Sequence, residues 1–183
     1  MAAPRNPNRY ELPMSNMVGA MVVVLLVVGA FVGWRVLNRD NSGVGIQPVD
    51  YHGWLKAAKQ DNRLRAVVPH PLPQGWEATS ASYLSGVSPH WHLGVLTPDK
   101  QYVGIEEGLA PEADQVSAYV DANAVHGPDV RIDDVTWHSW SDSGGDHALA
   151  RSFPAPRGDV KETLVVVGSA PIDQIRAYAA SLG

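Results

Sequence analysis

The stretch LGVLTPDKQYVG, residues 93–104, is the part of the sequence that most clearly decides the fold. Strand-like runs at residues 91–96 and 101–107 lie on either side of its Thr-Pro-Asp-Lys centre. Pro98 presets φ for the second position of a tight turn, and Asp99 can bond the local backbone. The pattern predicts a β-hairpin, and strands joined by so short a turn are antiparallel neighbours.

Further strands are predicted on both sides of this hairpin. The proline-rich segment 69–76 lacks several amide donors and cannot be helical, so it predicts an extended lead into a strand. Residues 163–167 are continuously apolar after their threonine, which indicates a central strand. Turn residues set the remaining boundaries. The strands are expected near residues 76–84, 134–140, 147–153 and 160–168.

Three helices are predicted outside the strands. An apolar stripe at helical spacing, with Asp50 available as an N-cap, predicts a short amphipathic helix over residues 50–60. Pro111 begins a second helix, whose first turn carries two acidic residues that complement the helix dipole. Pro171 begins the third. The residues that this last helix is expected to bury are Ile172, Ile175, Ala179 and Leu182.

The order of these elements predicts the fold class. After the first helix come two units of three strands and a helix, and the segments GLAPEADQVSAY (108–119) and GSAPIDQIRAY (168–178) share many letters. Part of that match has a general cause, because glycine at the end of a strand and proline at the start of a helix are common wherever a helix follows a strand. We expect an α+β fold with an approximate β-β-β-α repeat, in which helices bury the apolar face of an antiparallel sheet to form an α/β sandwich.

An uncharged, apolar run near the N-terminus stands apart from this domain. From Leu12 to Trp34 it would form a helix roughly 34 Å long at about 1.5 Å per residue, enough to cross a bilayer core. Met17 to Trp34 are therefore predicted to contact the lipid bilayer, with Trp34 and Arg35 as an interfacial anchor pair. Gly29 and Gly33 match the spacing of a weak helix dimer, although glycine is also simply common in such helices.

Cleavage after Ala30 by a signal peptidase, giving a secreted protein, is the alternative to retention. The apolar run exceeds the core of about 7 to 15 residues that signal peptides have, which favours a retained signal-anchor. The arginines on the two sides nearly balance. Because the free amino terminus adds a positive charge and large trailing domains translocate regardless of charge, we expect the N-terminus inside and the domain outside.

These features divide the chain into four parts. They are a short N-terminal tail (1–16), a transmembrane helix (17–37), a linker (38–48) and an extracytoplasmic α+β domain (49–183). After Asp40 the chain has ten lysines and arginines against seventeen aspartates and glutamates, which disfavours nucleic acid as a partner. The absence of cysteine excludes disulfides and thiolate chemistry.

His90 and His92 form the most suggestive chemical pattern. Residues i and i+2 of a strand point to one face, so the two imidazoles could hold zinc or copper with a third ligand such as His138 or His147. The alternative is that two exposed histidines flank an inward Trp91. The adjacent carboxylates Glu106 and Glu107 would point to opposite faces and cannot act as an acid/base pair. No motif of hydrolases, nucleotide-binding proteins or metalloproteases occurs, so no catalytic, cofactor-binding or metal-ligating residue is assigned.

The tryptophans could line a ligand groove or a partner surface, although burial in the core is the commoner fate of this residue. Trp137 and Trp140 are three residues apart and cannot share one face of a regular strand, so at least one is expected to be exposed or at a bulge. The tryptophans that could line such a groove or surface are Trp54, Trp76, Trp91, Trp137 and Trp140.

As a whole the chain resembles domain-of-unknown-function family 4245, small single-pass membrane proteins of actinobacteria without a characterised activity. The segments that carry the likeness are the anchor from Met17 to Trp34, PHPLPQGW (69–76), LGVLTPDKQYVG (93–104) and VVVGSA (165–170) before the last helix. The resemblance implies a cell-envelope protein with an extracytoplasmic domain and supplies no functional residues.

Together these observations predict a membrane-anchored binding or accessory module of the cell envelope that assists an envelope protein complex or holds an apolar ligand. An enzyme is the less favoured interpretation. The alternatives are a metal-dependent envelope enzyme that uses His90 and His92, and a cleaved, secreted protein.

Overall fold

The computed structural model of the protein describes residues 47–182, which belong to a compact unit, Gln47–Gly183. Within that range the chain forms three helices and eight strands. The helices are α1 (His52–Asp61), α2 (Glu112–Tyr119) and α3 (Ile172–Ala180). The strands are β1 (Glu77–Leu84), β2 (His90–Leu96), β3 (Tyr102–Gly108), β4 (Val125–His126), β5 (Val130–Ile132), β6 (Val135–Ser141), β7 (His147–Pro154) and β8 (Lys161–Gly168).

The strands form one antiparallel sheet in the order β1-β2-β3-β8-β7-β6-β4, with β5 also paired to β6. Two three-stranded meanders, β1-β2-β3 and β6-β7-β8, are joined through their last strands, where Val103 lies opposite Gly168. Gly168 must lack a side chain, since a Cβ there would lie 2.0 Å from the carbonyl oxygen of Tyr102. The predicted α+β class, antiparallel sheet, hairpin and central β8 are confirmed.

The second half of the chain departs from a simple β-β-β-α unit. The short strands β4 and β5 come between α2 and β6 and pair along the free edge of β6. Strands of two and three residues carry too little alternation to be recognised in a sequence. The approximate repeat therefore holds for the two meanders and the helix that follows each of them, but not for the whole of each half.

The two faces of the sheet are covered by different elements. One face carries the main core, including Trp91, Ile105 and Leu149, and lies beneath α1, α3 and a connecting segment, residues 64–68, which we call the strap. Val116 of α2 packs on the opposite face. We call these the strap face and the α2 face. Helices thus cover both faces, because the continuously apolar β8 contributes apolar residues to each, whereas the sequence analysis expected one apolar face.

The predicted transmembrane helix (17–37), with Gly29, Gly33 and the cleavage site after Ala30, lies outside the described residues. Among residues 47–182, no helix is both long and apolar enough to cross a bilayer.

Candidate functional site

The two predicted histidines of β2 lie on the α2 face on either side of one buried carboxylate. Glu106 of β3 is 6% exposed. Its Oε1 lies 2.7 Å from His92 Nδ1, and its Oε2 lies 3.0 Å from His90 Nε2. Leu96 pairs with Tyr102 across the turn, and this register places His92 opposite Glu106. The hairpin register thus brings the three side chains together.

In this arrangement, hydrogen bonds occupy the ring nitrogens of His92 that a metal ion would need as ligands. His92 Nε2 also lies 2.8 Å from Ser80 Oγ, so both of its ring nitrogens have hydrogen-bond partners. His138 lies on β6, four strands from β2, or about 19 Å at roughly 4.8 Å per strand. His147 is three strands away. Among residues 47–182, no three histidine, aspartate or glutamate side chains are grouped to hold a metal ion.

A cleft of about 550 Å³ opens beside His90, between α2 and the loop that precedes β2. The His90 ring stacks on Tyr119 of α2, with ring centroids 5.1 Å apart and an interplanar angle of 9°. Apolar side chains dominate the lining, which carries one carboxylate, Asp114, and no lysine or arginine. The lining residues are Val87, Ser88, Pro89, His90, Gly108, Leu109, Ala110, Asp114, Gln115, Ala118 and Tyr119.

Gln115, one of the lining residues, has a buried side-chain oxygen without a hydrogen-bond partner in the described residues. Its side chain is 3% exposed, and its Nε2 donates to the carbonyl oxygen of Thr163 at 3.2 Å. That contact fixes the amide orientation and leaves Oε1 as a buried oxygen without a partner in the described residues. Buried polar atoms are nearly always hydrogen-bonded, so an unused acceptor on a residue that lines a cleft points to a ligand donor or a water.

The tryptophans do not form one groove. Trp91 and Trp137 are buried in the core of the strap face, whereas Trp54 is 47% exposed. Trp76 packs against that core, and Trp140 is partly buried on the α2 face. Trp137 and Trp140 thus lie on opposite faces as expected, but neither of them is exposed or at a bulge. The lining of the cleft contains none of the five.

A second buried carboxylate group lies on the strap face, under the strap. Glu107 accepts the backbone N–H of Ala66 at 2.8 Å and that of Val67 at 2.9 Å. Glu162 accepts the N–H of Arg65 at 3.0 Å, and its Oε1 lies 3.2 Å from Arg65 Nε. Burial raises the pKa of Glu107. Burial and the neighbouring Glu107 raise the pKa of Glu162 to about 7, against the lowering influence of Arg65 and Arg151.

These shifts predict that the domain becomes more stable as the pH falls from 8 to 5. A carboxyl group whose pKa is higher in the folded than in the unfolded state stabilises the fold when protonated, and that stability is lost as the pH rises through about 7. We expect the midpoint of thermal unfolding to be higher at pH 5.5 than at pH 8.

The chain carries other titratable groups besides Glu162, so a variant must isolate the contribution of Glu162. Glu162→Gln is expected to reduce the pH dependence, measured by differential scanning calorimetry at both pH values. An unchanged difference between the two pH values in this variant would contradict the assignment.

Comparison with known proteins gives a family but no described activity. The family model for a protein of unknown function, DUF4245, matches residues 9–182. No curated protein and no solved structure matches the chain. The functional assignment therefore depends on the chain's own residues.

Proposed function

The chain belongs to the DUF4245 family of proteins of unknown function, and on that premise we propose that it is a membrane-anchored binding module of the cell envelope. Its extracytoplasmic domain holds a small, mainly apolar ligand in the cleft between His90 and α2. The observation that carries this proposal is the buried Oε1 of Gln115, which has no partner in the described residues although its amide orientation is fixed.

The lining of the cleft defines the chemistry of the ligand. Leu109, Ala118 and Tyr119 offer apolar contact, and the wall oxygen of Gln115 selects a hydroxyl or N–H donor. Asp114 and the absence of lysine and arginine from the lining disfavour an anionic ligand. The ligand class is a neutral molecule with an apolar body and one donor group.

A matched pair of probes tests this ligand class on the fragment Gln47–Gly183. p-Cresol and toluene have nearly the same shape, but only p-cresol has a hydroxyl that can donate to Gln115 Oε1. One neutral hydrogen bond contributes about 0.5–1.5 kcal/mol, so p-cresol should bind roughly two- to tenfold more tightly than toluene, measured by NMR titration.

Two variants serve as controls for the probe experiment. Gln115→Met preserves the length of the side chain without its acceptor and is expected to remove the advantage of p-cresol over toluene. Gly108→Val adds a side chain to the cleft wall, where even a Cβ would lie 3.0 Å from Gln115 Nε2. This variant should therefore bind both probes more weakly. Equal affinities of native protein and Gln115→Met for p-cresol would exclude the proposed contact.

The membrane anchor is the second part of the proposal. Its support is the uncharged run from Leu12 to Trp34 together with the separate compact unit that begins at Gln47. We expect protease added to intact cells to degrade the domain and to leave the N-terminal tail protected. Retention of residues 1–30 in the intact mass of the mature protein would exclude cleavage after Ala30, and their loss would favour the secreted alternative.

A further inference from the structure

A hydroxyl, an imidazole and a carboxylate lie in sequence on the α2 face, on three adjacent strands. Ser80 Oγ of β1 lies 2.8 Å from His92 Nε2, and His92 Nδ1 lies 2.7 Å from Glu106 Oε1. A serine paired with a base that a third group orients is the arrangement of an activated nucleophile. We propose that Ser80 and His92 are catalytic residues for hydrolysis of a neutral ester, with Glu106 as the positioning residue, an activity beyond ligand binding in the cleft.

The partners of His92 determine its tautomer. Burial raises the pKa of Glu106, but the contacts with His90 and His92 outweigh this effect, so the net pKa is below the usual value. An ionised carboxylate only accepts hydrogen bonds, so Nδ1 of His92 carries the proton. Nε2 then presents its lone pair to the hydroxyl of Ser80, as a general base must.

Gly94 and Gly104 leave space that the side chain of Tyr102 occupies next to Ser80. A Cβ on Gly94 would lie 2.3 Å from Ser80 Oγ and 3.1 Å from Tyr102 Oη, so both hydroxyls border the same point. A Cβ on Gly104 would also meet Tyr102 Oη, at 2.4 Å. Burial and the neighbouring Glu106 raise the pKa of Tyr102 to about 12, so its hydroxyl stays protonated and can donate to a developing oxyanion.

The reaction needs only the ester and water. Ser80 Oγ bonds to the carbonyl carbon while His92 Nε2 takes the hydroxyl proton, and Tyr102 donates to the carbonyl oxygen. The carbon–alkoxy bond then breaks, and the alcohol leaves with the proton from His92. Water attacks the acyl-serine in the same way, which releases the carboxylic acid and restores Ser80. The carboxylate of Glu106 beside this point disfavours an anionic ester.

Covalent labelling of the full-length protein in detergent tests the proposal. A fluorophosphonate probe phosphonylates an activated serine with loss of fluoride, and peptide mass spectrometry locates the modified residue. We expect the label on Ser80. General-base activation contributes about 10²–10⁴-fold, so His92→Gln should slow labelling at least about a hundredfold.

Ser82 is the matched control, because it lies on the same strand and opposite His92, whereas the hydrogen-bond partners of His92 are Ser80 and Glu106. Ser82→Ala should be labelled at the native rate, and Ser80→Ala should not be labelled. No label on the native protein, equal labelling of Ser80 and Ser82, or an unchanged rate in His92→Gln would overturn the proposal.

The test of Glu106 as a positioning residue needs a measurement that a purely structural role of this residue would leave unchanged. With p-nitrophenyl acetate as the ester, Glu106→Gln is expected to lower kcat at least tenfold while KM stays within about twofold. An unchanged kcat would overturn the assignment. Ser80→Ala removes only one half-buried hydroxyl and is the mildest change in the set, so it tests the proposal even if Glu106→Gln fails to fold. Native-rate ester hydrolysis by Ser80→Ala would refute the proposal.

Discussion

Replacement of Glu107 by alanine is expected to lower the free energy of unfolding by about 3–6 kcal/mol, because two buried amides lose their acceptor. Glu107 is 0% exposed, and its two oxygens accept the N–H groups of Ala66 and Val67. Ala66 has a φ of +50°, a left-handed value that is costly for alanine. Successive N–H groups that converge on one carboxylate form an anion-binding nest, which compensates for that cost.

Urea unfolding followed by tryptophan fluorescence measures the loss in the fragment Gln47–Gly183. Glu77→Ala is the matched control, since the Glu77 side chain is 44% exposed and lies 3.7 Å from Lys100. It should change the stability by less than about 1 kcal/mol. A loss of under 1 kcal/mol for Glu107→Ala would show that the strap does not depend on this carboxylate.

Replacement of Trp91 by alanine is the second large change, with an expected loss of about 3–5 kcal/mol. Trp91 is 0% exposed in the core of the strap face, and its Nε1 donates to the carbonyl oxygen of Val67 at 3.2 Å. The substitution therefore leaves a large cavity and an unpaired strap carbonyl. The midpoint of urea unfolding gives the measurement.

Trp54→Ala is the control for this change, because Trp54 is 47% exposed. This substitution should lower the free energy of unfolding by at most about 1 kcal/mol. Trp91 also lies opposite Glu107 in the sheet, and both contact the strap. The double variant should therefore lose less stability than the two single losses added together. Equal effects of Trp91→Ala and Trp54→Ala would contradict the described core.

The elements that the sequence predicted well have strong local signals. The 97–100 turn fixes the register of β2 and β3, and the apolar run in β8 identifies a central strand. Pro111 and Pro171 directly precede α2 and α3, as expected. The division of α2 and α3 between opposite faces depends on how each helix crosses the sheet, and no local pattern of residues encodes that choice.

The candidate site was predicted only in part. Alternation correctly placed His90 and His92 on one face and separated Glu106 from Glu107. Equal counting outward from the 97–100 turn would pair Leu96 with Gln101 and His92 with Ile105, whereas in the structure Leu96 lies opposite Tyr102 and His92 opposite Glu106. Ser80 could not be found in this way, because a bulge between Ala78 and Ser80 shifts the register of β1 against β2. The cleft depends on the packing of α2, a long-range contact.

The central claim, that the cleft beside His90 is a ligand site, is tested most directly by locating a bound probe. Intermolecular NOEs between p-cresol and the isotope-labelled fragment Gln47–Gly183 report which protons lie within a few ångströms of the probe. We predict NOEs from p-cresol to the Gln115 side-chain amide, Leu109 and the Tyr119 ring. NOEs to other parts of the domain only, or none at saturating p-cresol, would contradict the account.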